Sequence, residues 1–227
     1  SSRGTPTSSA RAEFHARKDA QTAAREERYA FLERSRAEAD ASCIAVAHHR
    51  DDQAETVLLH LLRGAGANGL AGMRPRNGFI ARPFLTVPRA DILVYLAAHG
   101  LPYRTDETNA LPVAERNRVR AQLLPLMRSF NPDVAAALCR SAEFLAADED
   151  CLSALGAALQ DRAALPGGGH DRGTLAAAHP AVQARALRAL LIGAGALDIS
   201  LSDVRRVRAL LTARTGTRIE LRAGLSC

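Results

Sequence analysis

The sequence predicts an α/β fold, a partial doubly wound parallel sheet followed by an all-α domain. Three observations predict it. Residues 44–73 read as a short apolar strand, a polar cluster, a strongly apolar helix and a glycine-rich turn. A second unit of the same kind follows, with Phe79-Ile80-Ala81 as strand and Pro88 to His99 as an amphipathic helix. Strands alternating with helical patterns mark a parallel sheet. After Asn131-Pro132 the strands give way to Ala- and Leu-rich helices over 133–160 and 180–213. The expected domains are therefore 1–130 and 131–227.

Taken in order, residues 1–10 are rich in Ser, Thr, Gly and Pro and are expected to be mobile. A helical pattern over 19–39 offers Ala23, Ala24, Tyr29, Phe31 and Leu32 as apolar contacts, with its charges paired on a solvated face. Residues 43–47 read as a buried strand. Asp51 or Asp52 starts the next helix, and Asp52-Gln53-Ala54-Glu55 matches a capping box with Asp in place of Ser or Thr. Val57, Leu58, Leu59, Leu61 and Leu62 make that helix apolar on most sides, and Gly64 ends it. In the helix after Pro88, Ile92, Leu93, Tyr95 and Leu96 are expected to point inward, with Gly100 as the stop. A polar loop, LPYRTDETNALP, leads into a helix from Glu115 to Met127 that bends near Pro125. LPGGGHDRG is expected to be a flexible connection, and Thr217 to Leu221 alternates like a strand without a partner. That orphan strand, and an opening (SSRGTPTSSARAEF) without Met, lead us to expect a fragment. No internal repeat is present.

Composition narrows the function classes. With 47% apolar residues but no Trp, the core must be built from Ala, Leu and Val. No run of about 18 apolar residues exists, so no membrane span is expected, and the opening carries no apolar segment of the signal-peptide kind. A net charge of +6 suits an acidic polymer such as nucleic acid. Lys18 is the single lysine, so a GC-rich coding sequence explains part of the Arg excess. Cys43, Cys139, Cys151 and Cys227 form no CxxC pair; neither zinc nor a disulfide framework is indicated, and a reducing cytoplasm is the expected compartment.

The candidate chemistry is concentrated in His48, His49, Asp51, Asp52 and Glu55, at the carboxyl end of the first strand, where open α/β sheets place ligands. The spacing leaves two readings open, a functional site and a mere helix cap. No HExxH pattern supports a structural metal. Gly64 to Gly69 matches GxGxxG, but a helix rather than a strand precedes it, so dinucleotide binding is rejected. Arg63 can hold a phosphate or face the helix C-terminus. Arg116 and Arg120 share a helix face by their i,i+4 spacing, which suits phosphate or forms a solvated basic face.

Three segments in order carry a resemblance: AHHRDDQAETVLLHLLRGAGANGLAGM, then RPFLTVPRADILVYLAAHGLPYRTDETN, then RNRVRAQLLPLM. Together with AAREERYAFLE, they make Ala23 to Val134 closely resemble the tRNA(Ile)-lysidine synthetase family of PP-loop ATP pyrophosphatases. The resemblance implies a PP-loop, adenine-nucleotide-hydrolase-like sheet and a helical tRNA-binding domain over 131–227. It implies a ligase that uses ATP and Mg2+ to attach L-lysine to C2 of cytidine 34 in a tRNA(Ile) with a CAU anticodon. An adenylated cytidine is the intermediate, AMP and pyrophosphate leave, and codon and amino-acid specificity change from Met to Ile.

By the same resemblance, His48, Asp51, Asp52 and Glu55 are catalytic, with Asp52 the metal ligand. Arg63, Asp106, Asn109, Arg116, Asn117 and Arg120 contact substrate or tRNA. A homodimer is compatible with the family. The family's SGGxDS nucleotide loop is not found in this sequence, so the nucleotide-contacting residues stay unassigned and the chain alone is expected to fall short of activity. The alternative is a catalytically incompetent fragment or degenerate copy that keeps only tRNA-binding surface. A tRNA thiolase is disfavoured by the missing CxxC pair.

Overall fold

The computed structural model describes residues 27–103, 115–196, 199–214 and 216–221. Its sheet has three two-residue strands, β1 (Ile44–Ala45), β2 (Arg76–Asn77) and β3 (Ile80–Ala81), in the order β1-β3-β2. β1 runs parallel to β3 with Ile44 opposite Ile80 and Ala45 opposite Ala81, while β2 pairs antiparallel to β3. The expected parallel pairing is therefore present in one pair, and a hairpin strand covers the other side of β3. Gly78, at φ +58°, makes that hairpin turn. The expected buried strand over 43–47 is shorter and only half-buried. Its single described neighbour is β3, and the ladder is prolonged by Ile44 N–H donating to Phe79 O and Val46 N–H to Ala81 O.

Contacts group the chain into two units, 1–53 with 73–105 and 54–72 with 106–227. In the first unit, residues 27–38 form helix α1 as far as it is described. Its Arg36 pairs with Glu33 at 2.7 Å, donates to Ala41 O at 2.8 Å, and lies over the Phe79 ring. Phe31 is 58% exposed, against expectation. The start of the expected 19–39 helix, with Ala23 and Ala24, and the mobile 1–10 segment lie outside the described residues.

Helix α2 (Arg50–Leu62) starts in this unit, earlier than expected, and α4 (Arg89–Ala98) follows Pro88. Gly100, at φ +61°, stops α4: its amide donates to Ala97 O and the next amide to Leu96 O. This pair of bonds satisfies two otherwise orphaned carbonyls. Tyr95, expected inward, is 58% exposed and stacks on His99 instead.

In the second unit α2 ends at Gly64 (φ +72°) by the same device, with Gly64 N–H on Leu61 O and Ala65 N–H on His60 O. The short α3 (Ala67–Leu70) follows. From Glu115 the chain is helical through α5 (Glu115–Arg118), a π turn (Val119–Leu123) and α6 (Leu124–Phe130). The helix thus continues three residues beyond the expected Met127. Pro125 has no amide to donate and its ring crowds the preceding turn, so the backbone widens there rather than breaking. Ala54, Leu58, Leu59, Val119, Leu124, Val134 and Ala135 form one buried cluster.

Helices α7 (Val134–Ala163), α8 (Arg172–Ala177), α9 (Pro180–Gly193) and α10 (Leu201–Leu210) build the second cluster, centred on Leu159, Ala186, Leu187 and Leu191. LPGGGHDRG forms a hydrogen-bonded turn, with Leu165 N–H on Gly169 O and Gly168 N–H on Leu165 O. Ala164 bridges His170, and Asp171 caps α8 by accepting from Thr174 N–H. The expected helical run over 180–213 is two helices, separated at Gly195 (φ +87°) and restarted by a Ser200–Asp203 capping box. Thr217 to Leu221 is no named strand among the described residues; Leu221 is buried in the core and Glu220 O accepts from Arg206.

Gly156 sits where α7 meets α9: a Cβ there would lie 2.8 Å from Arg185 Cβ and 3.0 Å from Ala186 N. Gly156→Ala should therefore lower the melting temperature, since overpacking of about 1–3 kcal/mol outweighs a gain of about 1 kcal/mol in helix propensity. Gly193→Ala, facing open space at the end of α9, should not lower it. The Thr174 hydroxyl and amide hold the Asp171 carboxyl below its ordinary pKa. The cap is thus fully stabilising above the ordinary carboxylate pKa and fails as pH falls through the lowered value. The protection of the Thr174 amide against exchange, relative to the rate of an unstructured amide at the same pH, should be lost on acidification only below the usual Asp range.

Candidate active site

The polar cluster follows β1 directly. His49 N-caps α2 in a reciprocal pair with Asp52: the His49 amide donates to Asp52 Oδ2 at 3.1 Å, and the Asp52 amide to His49 Nδ1 at 3.4 Å. The capping box therefore lies three residues upstream of the expected Asp52–Glu55 pair. A histidine, absent from the sequence rule, supplies the acceptor. His49 Nδ1 also lies 3.4 Å from Asp52 Oδ2 and 3.9 Å from Asp51 Oδ2, an arrangement that brings both carboxylates to one imidazole.

Asp51 accepts the Arg89 amide at 3.0 Å and so caps α4, whose own N-cap, Pro88, has no side-chain acceptor. A carboxylate at either helix N-terminus is favoured by the macrodipole by about 0.3–1 kcal/mol. Gln53 is clamped at both ends, giving a hydrogen bond to Met73 O and taking one from Met73 N–H. His48 faces elsewhere in the same unit. With Arg28, Tyr29, Leu32, Val46 and Ala47 it lines a cavity of about 320 Å³ at the carboxyl end of β1. That is within the range of small-molecule sites.

In the second unit Glu55 is 1% exposed. Arg120 grips it with two bonds, Nε to Oε1 at 2.6 Å and Nη2 to Oε2 at 3.0 Å. Arg116 Nε lies 3.2 Å from Glu55 Oε2 as an ion-pair contact, and its Nη2 donates to the Thr56 hydroxyl at 2.7 Å. One buried carboxylate thus orders two guanidiniums 61 and 65 residues away in sequence. A bidentate Arg–carboxylate pair is the geometry that offsets burial of the charge.

A family profile described as the PP-loop domain matches residues 5–127, more than half of the sequence. The chain belongs to the PP-loop family. A tRNA(Ile)-lysidine synthase of Parabacteroides distasonis is 50% identical over 127 residues, covering 56% of this chain and 29% of that protein. One from Salinispora tropica is 41% identical over 203 residues, covering 87% of this chain and 61% of that protein. This PP-loop chain therefore spans between 29% and 61% of the length of these two relatives. Among solved structures, a U34-tRNA thiolase from Methanococcus maripaludis aligns at 19% identity with a TM-score of 0.41, covering 52% of this chain and 41% of that one.

The structure brings together His49, Asp51 and Asp52 in one cluster, and Glu55, Arg116 and Arg120 in another. Arg63 pairs with Glu115. Asn117 is half-buried on α5. Asp106 and Asn109, with most of the loop around them, lie outside the described residues. Among the described residues no three His, Cys, Asp or Glu side chains converge as a metal site.

Sequence reasoning missed Arg28, Thr56 and Glu115 as partners of these groups. Arg28 read as an ordinary helix charge and Glu115 only as a helix start, and nothing local to Thr56 announced Arg116.

Glu55→Ala would leave both guanidiniums without their carboxylate. Partial exposure of the arginines reduces the usual penalty to about 2–3 kcal/mol. Arg116→Ala should cost less than Arg120→Ala, because Arg120 makes both aligned bonds. Denaturant midpoints of the three variants check this order, and equal costs for the two arginines would refute it.

Proposed function

We propose that this chain acts in lysidine synthesis, as a carbon–nitrogen ligase that joins L-lysine to C2 of cytidine 34 in tRNA(Ile) with a CAU anticodon. The supporting observation is similarity to proteins of that name along 203 residues, through both the strand–helix segments and the helical remainder. In this reading residues 1–130 are part of a PP-loop catalytic domain with a doubly wound sheet, and 131–227 a tRNA-binding domain; the family match ending at 127 supports the boundary. The protein works in the cytoplasm, and a homodimer is compatible with it.

The chemistry runs in two displacements. The cytidine O2 attacks the α-phosphorus of ATP and pyrophosphate leaves. The lysine amine then attacks C2, AMP departs with that oxygen, and the amine sheds its proton. A Mg2+ on Asp52 would neutralise charge on the triphosphate.

The residues of this chain bind and orient. His48 lies by the cavity at the end of β1, where it can face the reacting phosphate or base. Asp51 and Asp52, held by the helix caps, supply the carboxylate charge for the metal or the lysine ammonium. Glu55 orders Arg116 and Arg120, and we assign those two arginines, with Arg63, Asp106, Asn109 and Asn117, to substrate and tRNA contacts. A single-stranded anticodon base can be splayed out to such a site at modest cost.

Asp52→Asn separates charge from structure, because the amide oxygen still accepts from His49 N–H and preserves the cap. In an assay with CAU tRNA(Ile), ATP and labelled lysine, it should abolish incorporation while leaving the melting temperature within a few degrees. Near-normal turnover removes Asp52 from the site. No incorporation by the wild-type protein, supplied with its complete PP-loop domain, overturns the reading itself.

A further inference from the structure

Residues 199–221 carry five arginines (Arg205, Arg206, Arg208, Arg214 and Arg218) against two acids, Asp203 and Glu220. Asp203 is buried in the capping box of α10, so its charge is spent inside the fold. Arg206 is tied to Glu220 O. Arg205 and Arg208 are different. Both are exposed, and neither side chain makes a hydrogen bond or ion pair among the described residues. They stand one helical turn apart, on neighbouring positions of the same face, and both line a groove of about 270 Å³ with Gln183, Leu211 and Thr212.

The floor of this groove is fixed while its charged rim is not. The buried Gln183 amide donates to Ala176 O and Ala178 O, locking α9 to the end of α8. Arg172 donates to Ala213 O at 2.7 Å and ties α8 to the turn after α10. Two unengaged guanidiniums beside a hydrogen-bonded framework are an arrangement for binding anions. Guanidinium forks match phosphate oxygens bidentately and are weakly hydrated, so they lose little on contact.

We propose that this groove, lined by Arg205 and Arg208, seats the phosphodiester backbone of an RNA. It rests on the reading above that the substrate is a tRNA, and it goes further by naming the surface and the arginines. A backbone is favoured over a single small anion because exposed Arg214 and Arg218 extend the positive charge beyond the groove. The contacts position the RNA and carry no sequence information, as backbone contacts generally do.

The test is equilibrium binding of the full chain to two tRNA transcripts, one with a CAU anticodon and one with an altered anticodon, between 50 and 200 mM salt. Each phosphate contact contributes roughly 0.7–0.9 to the slope of log K against log salt. The double variant Arg205→Ala/Arg208→Ala should bind both transcripts at least about tenfold more weakly at low salt, with the slope reduced by about 1.4–1.8. Arg205→Lys/Arg208→Lys should keep most of the slope. Neither arginine packs in the core, so the melting temperature should be unchanged.

Unchanged affinity and slope in the Ala variant, with wild-type binding intact, overturns the groove and leaves the lysidine reading standing. Groove-dependent binding by a protein that, supplied with its complete PP-loop domain, incorporates no lysine fails that reading and supports the groove. Wild-type chain that binds neither transcript overturns the groove. So does saturable binding of inorganic phosphate at Arg205 and Arg208 with no change in tRNA affinity.

Discussion

The second unit depends on a carboxylate kept out of water. Glu55 lies on a helix that also buries Ala54, Leu58 and Leu59, and it meets its counter-charges only when residues 115–120 return to it. Its burial would be costly without Arg116 and Arg120, and their proximity would be repulsive without Glu55. The three side chains therefore enforce one register between α2 and the α5–π–α6 segment, which sliding apolar contacts alone would not specify. The π turn belongs to the same arrangement: it carries Arg120 and lets the helix accommodate Pro125 without ending.

In the first unit the same economy appears at helix ends. His49, Asp51 and Asp52 each satisfy backbone amides that a helix start leaves bare, two at α2 and one at α4. Asp51 and Asp52 are also the two residues whose charge the proposed chemistry would use. A side chain held by its cap loses little further entropy on meeting a ligand, so capping pre-organises the cluster. Structural and functional readings of these aspartates are thus compatible, and a Glu or Asn at a given position tests them separately.

The helical remainder carries its charge unevenly. Glu149 is buried under Arg185 beside the close α7–α9 crossing at Gly156, where charge serves packing. On α10 two arginines, Arg205 and Arg208, line a groove instead. The excess of arginine over acid, visible in composition, becomes informative only when buried and paired groups are set aside from exposed, unengaged ones.

Much was legible in the sequence. The parallel strand pair, the helix that includes Asp52 and the one after Pro88, their glycine stops and the change to an all-helical remainder follow from local periodicity and from turn residues that only glycine satisfies cheaply. The ordered set of HHRDDQAET, DETN and RNRVR segments led to the PP-loop family by resemblance, without any need for geometry. The i,i+4 spacing of Arg116 and Arg120 correctly placed both on one face.

What tertiary structure decided were the partners. His49 rather than Asp52 became the N-cap because α2 begins at Arg50. Asp51 became the cap of a helix 38 residues away because Pro88 offers none of its own. Tyr95 stayed outside although its helical position suggested an inward face. Periodicity specifies which residues share a face; which face is covered, and which charge meets which, depends on contacts between segments far apart in the chain, and no local pattern encodes those.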